Sequence, residues 1–67
     1  MPFVSIRLID PPTKEQKQQV IAEVTEVLVR VLGKNPATTM VVIEEFSTDN
    51  WGVGGETITA RRAKPKV

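Results

Sequence analysis

The segment Phe3-Val4-Ser5-Ile6-Arg7-Leu8-Ile9 is rich in β-branched and apolar residues and stops at Asp10-Pro11-Pro12, which predicts a first strand. The rhythm then changes. Apolar residues recur at Val20, Ile21, Val24, Val27, Leu28, Val31 and Leu32, the stripe of an amphipathic helix whose polar side carries Lys14, Gln18, Glu23 and Glu26. Thr13 followed by Gln16 fits a capping box, and Gly33 supplies a left-handed cap. The helix is therefore expected from about Lys14 to Leu32, about 28 Å long at 1.5 Å per residue. After the linker Lys34-Asn35-Pro36-Ala37, the residues from Thr38 to Phe46 read as a second strand with a nearly continuous apolar centre, the pattern of burial on both faces. Ser47-Thr48-Asp49-Asn50 reads as a polar turn and Thr57-Ile58-Thr59 as a short β-like run. The basic stretch from Arg61 to Val67 has no periodicity and is expected to be a partly disordered tail.

Two strands joined by a long helix must be parallel neighbours with a right-handed crossover, because a direct hairpin needs only a short turn. The predicted class is α/β: a β-α-β subunit with a C-terminal β-hairpin or short strand, and one domain over residues 1–67. A two-stranded sheet covered on one face by one helix leaves its other face bare and both edges unpaired. Pairing with further copies is the simplest repair, so the pattern alone predicts a homo-oligomer.

Composition supports that conclusion. A chain of 67 residues builds only a marginal core, and with no Cys and no His it has neither disulfides nor the usual metal ligands to supplement it. A net charge of +1 gives no case for nucleic acid or an anionic membrane. No apolar run approaches the roughly 20 residues that span a bilayer. No signal peptide is visible, and a cytoplasmic location is expected.

The inventory for chemistry is short, since the chain lacks His, Cys and Tyr. Most carboxylates fall on the solvent side of the helix or in turns. Glu44 and Glu45 are adjacent on a strand and so point to opposite faces, which argues against a paired-carboxylate device. Gly52-Val53-Gly54-Gly55-Glu56-Thr57 begins like a dinucleotide fingerprint but lacks its third glycine and opens no helix. Its glycines suit a hairpin or a close approach to another subunit. What remains is the chain's own amine. Removal of Met1 ahead of the small Pro2 would leave a secondary amine on the first residue of a strand, and in a dry or cation-lined pocket such an amine is neutral near pH 7, as a general base must be. While Met1 is attached, the Pro2 nitrogen is a tertiary amide and has no usable lone pair.

With these pieces in place, the chain resembles the 4-oxalocrotonate tautomerase family from Pro2 to about Arg62. The resemblance rests on Pro2 opening strand one, Thr13 to Lys17 starting the helix, Glu45 ending strand two, and Trp51-Gly52-Val53-Gly54-Gly55-Glu56. It implies β-α-β subunits assembled as hexamers, trimers of dimers, in which the N-terminal proline moves a proton between carbon and oxygen of a small enol or 2-oxo acid. It implies no cofactor, and the residues themselves give no reason to expect a metal, a nucleic acid or a membrane partner. Carried over by position, Pro2 is the base, Trp51 lines the pocket in place of the family's aromatic residue, and Ile9, Thr38 and Val53 line it too, several of them from neighbouring subunits.

The family's carboxylate-gripping arginines fall on Pro12 and Met40 here. Losing two charge-assisted bonds of about 1.5–3 kcal/mol each would weaken catalysis on a diacid by about 10²- to 10⁴-fold. The expected preference is thus for monoacids with an apolar body, walled by Met40 and Trp51, with Arg7, Arg61 or Arg62 as substitute carboxylate grips. Two other readings compete: a hydratase, dehalogenase or decarboxylase in which protonated Pro2 is the acid, and a non-catalytic oligomeric binding protein.

Overall fold

In the computed structural model, which describes residues 1–64, the two long strands β1 (Phe3–Leu8) and β2 (Met40–Glu45) pair in parallel, with Phe3 opposite Met40 and Leu8 opposite Glu45. The helix α1 (Lys14–Leu32) joins them, giving the expected β-α-β unit. Its start is a full capping box: the Gln16 N–H donates to Thr13 Oγ1 at 3.1 Å while the Thr13 N–H donates to Gln16 Oε1 at 2.9 Å. At its end Gly33 has φ of 66°, a conformation that costs a residue without a Cβ little.

The two sheet faces differ. Val4, Ile6, Leu8, Val41 and Ile43 are half-buried, whereas Phe3, Ser5, Arg7, Met40, Val42 and Glu44 alternate with them on the opposite, open face. On α1, Ile21, Val24 and Leu28 are half-buried, while Val20, Val27, Val31 and Leu32 stay exposed. Among the described residues none is buried, and Phe3 is 63% exposed. A single chain thus forms its helix and sheet without closing a core around them.

Strand two is shorter than its apolar run implied. Asn35 accepts from the Ala37 N–H at 2.9 Å and Pro36, with its fixed φ and missing N–H, opens a 3-10 turn over Pro36–Thr38, so Thr38 and Thr39 precede the strand. At the other end the Phe46 N–H still donates to the Leu8 carbonyl at 2.9 Å, one step past β2. Strand one ends at Leu8, because Asp10 turns the chain with φ of 58°.

The C-terminal segment keeps the expected hairpin and departs from expectation after it. The short strands β3 (Gly52–Val53) and β4 (Glu56–Thr57) form an antiparallel hairpin. Gly54 and Gly55, both at positive φ, make its tight turn. Of the β-like run only Thr57 is strand. Ile58 opens a second helix, α2 (Ile58–Ala63), because the Thr57 hydroxyl caps it by accepting from the Ala60 N–H at 3.0 Å. Arg61 and Arg62, expected in a partly disordered tail for lack of periodicity, are instead helical, held by that cap, by a Lys64–Glu56 ion pair at 2.6 Å and by Arg62 bound to Asp10. Residues 65–67 of that tail lie outside the described residues.

Candidate active site

Pro2 is half-buried immediately before β1, and its carbonyl accepts from the Met40 N–H at 3.0 Å. That bond brings Met40, 47% exposed on the open face, beside the N-terminal end of the chain. Thr38 lies two residues upstream in the 3-10 turn, its hydroxyl directed at the Asn35 carbonyl at 3.4 Å. Pro2, Thr38 and Met40 therefore share one end of the strand pair.

The other candidates share the opposite end. Ile9 follows β1 and is half-buried. Trp51 stands edge-on to Phe46, with ring centroids 6.1 Å apart and planes at 72°. Its carbonyl accepts from the Ile58 N–H at 2.8 Å, which ties it to the start of α2, while Val53 is exposed on the hairpin. Thr59 links to both Thr48 and Asp49 by its hydroxyl and so fastens α2 to the turn that precedes Trp51. Between the two ends runs the length of β1, on the order of 20 Å for its six residues at about 3.3 Å each. One chain does not bring Pro2 to Ile9, Trp51 or Val53. A cavity of about 450 Å³ lies instead against α1, lined by Lys14, Glu15, Lys17, Gln18 and Ile21, and touches none of these residues.

The three candidate arginines differ in their partners. Arg7 on the open face faces Glu44 at 3.5 Å. Arg61 is exposed on α2. Arg62 grips Asp10 with both arms, Nη1 donating to Oδ1 at 2.8 Å and Nη2 to Oδ2 at 2.5 Å. The Asp10 carboxyl is held below its ordinary value, chiefly by the Arg62 hydrogen bonds, which outweigh desolvation, and further by the guanidinium charge. Arg62 is raised in turn by the same hydrogen bonds and by the Asp10 charge. Two contributors were not singled out by sequence: Phe46, which backs Trp51, and Asp10, which engages Arg62. Neither sits in a motif. Only its place between an apolar strand and two prolines marks Asp10 as a turn residue able to take positive φ.

Among the described residues no cluster of His, Cys, Asp and Glu side chains could hold a metal ion, and no helix is long and apolar enough to cross a membrane. Residues 2–61 match the family model described as Tautomerase enzyme. The chain belongs to the tautomerase family. Its activity is that of an isomerase, a tautomerase of the 4-oxalocrotonate type. Among similar tautomerases is the probable tautomerase K2 of Dickeya dadantii, 64% identical over 63 residues that cover 92% of this chain and 94% of the relative. The 2-hydroxymuconate tautomerase of Pseudomonas putida is 40% identical over 55 residues, 82% of this chain and 87% of its own. The solved structure of DmpI from Helicobacter pylori superposes with a TM-score of 0.84 at 43% identity, covering 96% of this chain and all of that one.

Proposed function

We propose that this tautomerase interconverts the enol and keto forms of a small 2-oxo acid, with the Pro2 amine as general base once Met1 is removed, in a pocket completed by a second copy of the chain. The observation that carries this reading is the position of Pro2. It is half-buried at the start of β1, and the full sequence contains no His, Cys or Tyr to serve in its place. The neutral amine takes the proton from the enol oxygen, and its conjugate acid returns one to carbon, so nothing is consumed and no cofactor is required.

The separation of the two residue groups supports a composite site. A second copy laid antiparallel along the free edge of β1 brings its Ile9 and Trp51 end alongside Pro2. Such pairing also removes an unpaired strand edge, and stacking of the resulting dimers covers the open face that carries Phe3, Met40 and Val42. A homohexamer, a trimer of dimers, satisfies both requirements. The Pseudomonas putida relative is a 2-hydroxymuconate tautomerase. Here Pro12 and Met40 place a rigid turn and an apolar thioether where cations would grip a diacid, so the preferred substrate is a monoacid with an apolar or aromatic body packed against Met40 and Trp51.

The test compares Met1-processed with Met1-retaining protein, verified by mass spectrometry, on an arylpyruvate enol and on a dienol diacid over a pH series. The processed form should be faster by about 10²- to 10⁴-fold, the contribution of a general base, and its rate should rise with pH as the amine loses its proton. Equal rates for the two forms would exclude Pro2 as the base.

A further inference from the structure

Of the three candidate arginines, Arg62 holds a carboxylate in both of its terminal donors. Arg62 meets Asp10 in the two-pronged geometry that guanidinium uses for carboxylate ligands, at 2.8 and 2.5 Å. The pair joins residues 52 positions apart, and it lies on the turn between Ile9 and Pro12. Both side chains are more than half exposed, so the contact is open to solvent and to a competing anion. An exposed pair of this kind adds little to stability. Its other consequence is occupancy: the fork of Arg62 is filled.

Resting on the composite-site reading above, we propose that Asp10 is a specificity-determining residue, an internal stand-in for the second carboxylate of a diacid. By filling the Arg62 fork beside Ile9 it withholds that cation from substrate and turns the pocket toward monoacids. The backbone at Asp10 has a φ of 58° just past β1, and its carboxylate meets Arg62 of α2. Asp and Asn are the residues besides glycine that accept this conformation readily, so Asp10→Asn removes the charge and keeps the turn. Asp10→Gly does the same with no side chain at all.

The experiment titrates the processed protein with two non-reacting probes of the same carbon skeleton, sorbate with one carboxylate and muconate with two, and reads affinity by calorimetry. In Asp10→Asn, muconate should bind about tenfold more tightly than in the wild type, the effect of one charge-assisted contact discounted for exposure. Sorbate should gain less. Adding Arg62→Gln should abolish the muconate gain, and adding Arg62→Lys, which keeps the charge but not the paired donors, should lose more than half of it. Should Asp10→Asn fold poorly, Asp10→Gly carries the same expectation. Unchanged muconate affinity in both Asp10 variants would overturn the proposal. So would a gain that survives in full with Lys at position 62, since that is a general field effect. Binding is read without turnover, so failure of Pro2 as base in the rate assay and failure of the Asp10 device give separate results.

Discussion

Replacing Phe3 with alanine should weaken the proposed assembly, and the size of the effect follows from the open sheet face. Phe3 leaves 63% of its surface exposed in the single chain. An aromatic side chain offers about 200 Å², so covering the exposed part removes on the order of 125 Å² from water, or about 3 kcal/mol at 25 cal/mol/Å². Alanine retains a fraction, which leaves a loss of about 2 kcal/mol per copy and about 4 kcal/mol for an interface that uses two copies, roughly a thousandfold in association constant. Sedimentation of wild type and Phe3→Ala across a dilution series measures it directly. Because no described residue of a single chain is buried, dissociation should coincide with loss of helical circular dichroism, the coupling seen when folding and association are one step. Activity should fall with the assembled fraction. An association constant within about threefold of wild type would refute the argument that this face is covered by other copies.

Phe46→Leu should cost about 0.5–1.5 kcal/mol for the lost ring pair and red-shift the emission of Trp51, the single tryptophan, measured by denaturant titration and fluorescence. Thr13→Ala should cost about 1 kcal/mol, because the Gln16 N–H loses its acceptor, and faster hydrogen exchange confined to the first turn of α1 would locate the effect. Acid should loosen α2 before it affects α1. The depressed Asp10 carboxyl contributes its small stabilisation in full above its unfolded pKa of about 3.9 and loses it as pH falls through the lower folded value, an effect read in amide exchange across residues 58–63 and smaller in Asp10→Asn, which keeps the Lys64–Glu56 pair.

Local signals were legible in the sequence wherever one residue fixes its neighbours. Thr13, Gln16 and Gly33 set both ends of α1 to the residue, and Gly54 with Gly55 set the hairpin. Periodicity was less complete. The apolar stripe from Val20 to Leu32 mixes positions facing the sheet with positions left open, since a 3.6-residue period marks an apolar side without saying what will cover each part of it. Thr38 and Thr39 run without a break into the apolar stretch of strand two, but the Asn35 cap and Pro36 favour a 3-10 turn there. Helix α2 was missed because six residues are too few to display a period, and its support comes from Thr57, Asp10 and Glu56. For the site, sequence names Pro2, Met40 and Trp51 and sets Pro2 and Ile9 at opposite ends of strand one. The register adds that Met40 lies opposite Phe3 at the Pro2 end, while Trp51 follows Glu45, the partner of Leu8, at the Ile9 end.

Pro2 leads directly into β1, with its carbonyl already committed to Met40. On the proposed mechanism the reactive group exists only where the polypeptide begins, and this limits how such a protein can be enlarged. Joining two copies end to end would leave the second Pro2 inside a peptide bond, while both Ile9 and Trp51 ends survived intact. A tandem chain would therefore keep every binding wall and lose half of its bases, leaving the orphaned walls free to diverge toward other ligands. An affinity handle belongs, for the same reason, on the far terminus.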